Sequence, residues 1–221
     1  MSTVPLPPLP ADTGEPAQDY RPGGRSMVDL LADEHHRIDG LCAELVDDAA
    51  DPGRRRQLAE VLTATVVRHL SAEEQYLYPT VRVAVPDGPT LADRELAADI
   101  TLLTALRELT GTASADAEFD RRAERVAGLL RRHAAAAETD LFPPLRQVAT
   151  DAELIRLGNR VEIAEEAAPT RPHPHTPLTP PWNRVVHPAV GMLDKVRDAV
   201  TRRRTYLEDL PLPRQANRRH R

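Results

Sequence analysis

The residues best placed to do chemistry are His69 and Glu73, in the stretch Arg68-His69-Leu70-Ser71-Ala72-Glu73-Glu74-Gln75-Tyr76-Leu77-Tyr78-Pro79. On a helix, side chains four positions apart meet on one face. Leu62, Thr65, Val66, Tyr76 and Leu77 share that face, so the pair sits in an apolar, core-facing stripe. An imidazole and a carboxylate buried there without partners would each cost on the order of a few kcal/mol. A metal ion held between them, with further ligands from neighbouring helices, would satisfy both.

Three more ionisable residues fall inside apolar stripes. His35 lies among Leu31, Ile38, Cys42 and Leu45. Asp99 lies among Leu96, Leu102, Leu103, Leu106 and Leu109. His133 lies among Phe119, Val126, Leu130, Ala137 and Leu141, with Glu138 five positions further on. A lone histidine on such a stripe is usually a hydrogen-bonded core residue. His35, His69 and His133 on three separate helices favour ligation instead, and Glu73 goes with them. Asp99 divides between ligand, partner of His133 and remnant of a lost site. Glu74 reads as a solvated neighbour, Tyr76 and Tyr78 as packing residues, Cys42 as core filler and His36 as surface.

The elements that must position these groups are helices. Ala, Leu, Glu and Arg dominate, and aromatics are 3% of the chain. Ser26 is a good N-cap for a first helix running to about Asp48. Asp51-Pro52 marks a stop and a restart, and the second helix reaches about Ala84, bent or ended by Pro79. Pro86-Asp87-Gly88-Pro89 is a turn. A third helix spans about Thr90 to Thr110, with Gly111 as its C-cap. The fourth begins near Ser114 or Asp116, and a shorter one runs from Thr150-Asp151 to about Ala167.

The second and fourth helices echo one another. His69 to Pro79 and His133 to Pro143 span the same interval, each with a Glu five after the His and an aromatic before the Pro. His35 pairs less closely with Asp99. A doubled helix pair joined by short turns predicts an all-α, up-down antiparallel four-helix bundle, with a short fifth helix and a C-terminal helical extension.

Residues 1–25, with six prolines and three glycines, read as a disordered tail. Residues 26–167 form the bundle domain, and 168–182 a Pro-rich linker containing the 171–175 Pro-His stretch. Residues 183–221 form an amphipathic basic helix and a disordered tail. The net charge is −5, which gives no argument for nucleic acid. From Trp182 onward ten Lys/Arg face four Asp/Glu, about +6, leaving about −11 elsewhere. The basic helix either meets an acidic partner or membrane surface, or packs on the bundle with its arginines in water. No run approaches the ~20 apolar residues of a membrane span. Absence of a secretory signal and a single cysteine, Cys42, fit a reducing cytoplasm.

The layout resembles the hemerythrin-like, or HHE cation-binding, family. The residues carrying the resemblance are Glu34-His35-x-x-Ile38, His69-x-x-x-Glu73-Glu74 ending in Tyr78-Pro79, and His133 ending in Phe142-Pro143. It covers about residues 27–165. The resemblance implies a four-helix bundle around a di-iron centre. His35, His69 and Glu73 then make one complete half-site, and His133 is a third matched histidine. Asp99 stands where the third helix should supply a histidine, and Ala137 where the fourth usually supplies a carboxylate. Asp99 could bind iron through oxygen. Glu138 could replace the bridge, but five residues turn a side chain about 140° on a regular helix, so it needs local unwinding or a π-bulge. Di-iron, mononuclear and weak or absent sites all stay open, as does another divalent metal.

By this resemblance the chain is a non-haem iron protein that senses, scavenges or stores O2, NO or iron, without clearly implying enzyme turnover. The alternative is a metal-depleted bundle that acts as an interaction protein through its surface or basic C-terminal helix. A redox enzyme is a weaker third reading.

Overall fold

The computed structural model describes residues 22–47 and 51–172, together with Asp194, Asp198, Thr205, Tyr206, Glu208 and Leu210. Its regular elements there are all helical. They are α1 (Met27–Asp47), α2 (Pro52–Ala72), α3 (Tyr78–Ala84), α4 (Gly88–Thr110), α5 (Ala117–Ala136), α6 (Phe142–Val148) and α7 (Asp151–Ala167). Five-residue π-helical turns, Glu73–Leu77 and Ala137–Leu141, join α2 to α3 and α5 to α6 without a break.

The starts and stops follow local chemistry. Ser26 Oγ accepts the Asp29 N–H at 3.2 Å. Asp51 accepts from Gly53 N–H at 3.0 Å, with Pro52 opening α2. Thr150 and Glu153 cap each other's backbone at the start of α7 in a capping box. The turn before α4 puts Asp87 in the left-handed region at φ 55°. Gly88 follows because a Cβ there would lie 2.1 Å from the Val81 carbonyl oxygen.

α1 packs against α2 and α5, and α4 packs against the same two helices, which closes a four-membered ring. The apolar residues fall into two clusters. One contains Ile38, Leu45, Leu62, Leu102, Leu106, Phe119 and Leu130. The other contains Leu31, Leu77, Tyr78, Leu96, Phe142, Leu145 and Leu157. Each helix crosses between them, passing His35 in α1, His69 at the end of α2, Asp99 in α4 and His133 in α5. Along α1 and α4 the chain runs from the second cluster to the first, and along α2 and α5 it runs back. The helices therefore alternate in direction, as the sequence predicts, and the ionisable residues form a polar layer between two apolar ones. α7 lies outside the ring against α1 and α2.

Of the tail expected at 1–25, residues 22–25 are described. Asn159 Nδ2 of α7 donates to the Gly23 carbonyl at 3.1 Å. Residues 1–21, the 173–175 Pro-His residues and most of the C-terminal extension lie outside the described residues. Within that extension Asp194 and Asp198 are helical. The Asp194 carboxylate accepts the N–H groups of Thr170 (3.2 Å) and Arg171 (3.0 Å). Arg68 of α2 donates to the Thr205 carbonyl at 2.8 Å and lies over the Tyr206 ring. These contacts put the described part of the extension against the bundle.

Candidate metal centre

Four donors converge in the polar layer. His35, His69, Glu73 and His133 each place one ligand-type atom within 4.8 Å of all the others, and all four are buried. His69 Nε2 stands 3.4 Å from Glu73 Oε1, and His133 Nε2 stands 3.1 Å from Glu73 Oε2. The two Nε2 atoms are 3.4 Å apart, and His35 Nε2 is 3.9 Å from Glu73 Oε1. Donors each about 2.1 Å from one ion stand roughly 3.0–3.4 Å apart, so the separations among His69, Glu73 and His133 fit a shared cation, with His35 Nε2 somewhat further off.

Each imidazole also has a carboxylate near its other nitrogen. His69 Nδ1 bonds Glu34 Oε2 at 2.9 Å. His133 Nδ1 is 3.3 Å from Asp99 Oδ1. His35 Nδ1 is 3.5 Å from Glu138 Oε1. A carboxylate on the outer nitrogen fixes the tautomer and aims the inner one, as around metal-bound histidines generally. Tyr78 extends this outer set: its hydroxyl donates to Asp99 Oδ2 at 2.7 Å and stands 3.1 Å from Glu73 Oε2.

The helices reach this geometry through the two π turns. In each, the backbone bond spans five residues, Tyr78 N–H to Glu73 O and Phe142 N–H to Ala137 O. Pro79 and Pro143 follow at once; proline donates no backbone bond and its ring crowds the carbonyl four residues back. A widened turn ahead of the ring relieves that crowding, and it is where Glu73 begins its approach to the histidines. After α5 the second π turn supplies the local unwinding that lets Glu138 approach His35, while its side chain stays 43% exposed.

The electrostatics favour a positive charge in the layer. Burial alone would raise Glu73, but the His133 and His69 imidazoles hold it down at about 2. Burial pulls His133 down, yet Glu73 and Asp99 outweigh it and raise His133 well above its ordinary value. Burial, then His69, pushes His35 down to about 3. Burial raises Asp99. His35 Nδ1 and Nε2, Glu73 Oε1, Asp99 Oδ1 and His133 Nδ1 are buried without a hydrogen-bond partner. Leaving such atoms unpaired is costly, and a cation among the four donors would relieve His35 Nε2 and Glu73 Oε1. The residues present therefore fit a metal ion.

His35, His69, Glu73 and His133 are thus brought together as the sequence predicts. Asp99 and Glu138 are near but stand at the outer nitrogens, beyond the four-donor cluster. Glu74 differs from the expectation of a solvated neighbour. It is 3% exposed, and burial with the Asp99 and Glu73 charges raises its carboxyl well above the ordinary value. The π turn winds it inward, which regular helical spacing does not show. Tyr78 does more than pack, through its two carboxylate contacts. Glu34 is the partner the sequence left without a role. It sits about 100° round from His35, on the side that meets α2, so the stripe of α1 alone gives no sign of it. Cys42 is core filler as expected, buried, with its thiol raised to about 12 by that burial. His36 is exposed and bonds the Ala32 carbonyl through Nδ1 at 2.8 Å.

A cleft of about 250 Å3 opens between α1 and α5, lined by Ile38, Leu130, Arg131 and Glu138 and reaching His35 and His133.

No curated protein sequence matches the chain. A similar solved structure is that of a hemerythrin HHE cation binding domain-containing protein from Mycobacterium kansasii. It has 22% identity and a TM-score of 0.57, over 64% of this chain and 85% of that one, and it shows the shared fold. The hemerythrin HHE cation binding domain matches residues 26–145, the stretch from the α1 cap through the second π turn that carries all four converging donors. The chain belongs to the hemerythrin HHE cation binding domain family.

Proposed function

We propose that the protein binds iron through His35, His69, Glu73 and His133, and uses it to sense, scavenge or store O2, NO or iron. The observation that carries this reading is the convergence of four buried donors from α1, α2, the first π turn and α5 within 4.8 Å. Mixed imidazole and carboxylate donors suit iron among the first-row metals. Bound iron would supply redox chemistry and a position for a small ligand. The protein's own residues do the rest. Glu34 holds His69 Nδ1 so that Nε2 faces inward. Asp99, itself held by Tyr78, stands behind His133. The apolar clusters on either side keep bulk water from the layer, and the cleft beside His35 and His133 gives a diatomic molecule a route from solvent. This donor set supports binding; nothing in it calls for turnover of a larger substrate.

Metal analysis of the purified chain after anaerobic reconstitution with Fe(II) tests the reading. The chain should retain iron through desalting, and His69→Ala should abolish retention. Exposing the loaded chain to O2 or NO should then change its absorption spectrum. Stoichiometry near zero in the unaltered chain would leave the interaction-protein reading in its place.

A further inference from the structure

We propose that the centre holds one cation per chain, because Tyr78, Asp99 and Ala137 fill the place of a second half-site. This rests on the metal-binding reading above and sets its stoichiometry.

The chain's own repeat frames the argument. Positions 35, 69, 73 and 79 recur 64 residues later as 99, 133, 137 and 143, and the two π turns start at corresponding positions, Glu73 and Ala137. A symmetric bundle would build two half-sites. The first has His35, His69 and Glu73. The second has Asp99, His133 and Ala137, and it is dismantled at each position. Ala137 brings no donor and is 2% exposed. His133 turns Nε2 to the first half-site, 3.1 Å from Glu73 Oε2 and 3.4 Å from His69 Nε2. Asp99 turns one oxygen to the outer nitrogen of His133 and the other to Tyr78.

Tyr78 decides the matter. A second ion bridged by Glu73 would have to touch Glu73 Oε2 and an oxygen of Asp99. The atom that touches both Glu73 Oε2 and Asp99 Oδ2 is the phenol oxygen, at 3.1 and 2.7 Å. Tyr78 is 2% exposed and embedded in the second apolar cluster, so its ring has no open side toward which to swing. Glu138 does not restore the missing carboxylate. It lies beside His35, on the solvent side, and joins no group of three donors within 4.8 Å among the described residues. One helix pair thus keeps its donors and borrows an imidazole from the other, whose Asp99 faces His133 and Tyr78 instead.

The full chain is reconstituted anaerobically with Fe(II), and iron and protein are quantified separately. The expected ratio is about one iron per chain, and the same for Tyr78→Phe. Loaded with Mn(II) instead, the protein should give the electron paramagnetic resonance spectrum of an isolated ion. A triple variant, Tyr78→Phe/Asp99→His/Ala137→Glu, supplies the absent donors and should take up about two ions per chain. A ratio near two in the unaltered chain, or the spectrum of an exchange-coupled Mn(II) pair, overturns the proposal. So does a triple variant that keeps its helical circular dichroism yet stays near one. A ratio near zero in the unaltered chain instead overturns the metal-binding reading beneath it.

Discussion

His69 is the residue through which the layers of the site connect, since Nε2 faces the other donors and Nδ1 accepts its orientation from Glu34. Glu34→Gln keeps the size and one acceptor oxygen but removes the charge. Changing such an outer partner typically costs 10–100-fold in metal affinity. Glu34→Gln should therefore weaken iron binding by about that factor without abolishing it, whereas His69→Ala should abolish it. Competitive titration against a chelator of known affinity separates the two. Equal losses would mean that Glu34 is itself a ligand, and no loss would mean that His69 needs no orienting. Glu34 also approaches Glu165 of α7: both lie in a second group, with His69, whose donor atoms fall within 4.8 Å. Burial, then Glu34, raises Glu165 to about 10, so the pair carries one negative charge rather than two.

At the scale of elements, α7 lies beyond the matched family domain and yet closes the back of this network. Its approach to the start of α1 depends on Gly158. A Cβ there would lie 2.0 Å from the Arg25 carbonyl oxygen and 3.0 Å from the Met27 nitrogen, both backbone atoms that cannot rotate away. Gly158→Ala should push α7 off α1 and lower stability by about 1–3 kcal/mol, the usual range for overpacking a tight contact. Urea unfolding measures it; an unchanged midpoint would show that the two segments separate freely. The π turns show how an element can serve a site at some cost in regularity. Both precede an aromatic-proline pair, and both occur at the level of the polar layer.

For the whole molecule, the polar layer makes stability depend on pH. In the metal-free chain Glu34 and Glu73 are held at about 2 against an ordinary 4.5, and His35 at about 3 against 6.5. Each folded-state value lies below its unfolded one, so in acid the unfolded chain binds protons that the folded chain refuses. Stability therefore falls as pH drops below those ordinary values. Glu74, His133 and Glu165 are shifted upward from 4.5, 6.5 and 4.5, so their contributions change above about pH 4.5, and Asp99, raised from 3.8, opposes only the upper end of the acid limb. The melting temperature of the metal-free chain should fall steadily from about pH 4.5 towards pH 2, and Glu73→Gln should make that slope shallower. An unaltered slope in the variant would assign the acid sensitivity to other carboxylates.

The sequence by itself determined the helices, their order and the faces on which His35, His69, Glu73 and His133 lie. Helical periodicity is local, and the repeat doubles the signal by presenting the same spacing twice. The caps at Ser26 and Asp51 and the start of α7 near Thr150 are legible for the same reason, since each needs only its neighbours along the chain. Only the tertiary structure decided which carboxylate stands behind which imidazole, that Tyr78 joins Glu73 to Asp99, and that Glu74 turns inward. Those outcomes depend on the rotation of each helix about its axis and on the separation of neighbouring helices. The π turns add a local unwinding that regular spacing does not encode. A small shift there decides whether a carboxylate joins the four donors or stands behind an imidazole, as Asp99 and Glu138 do.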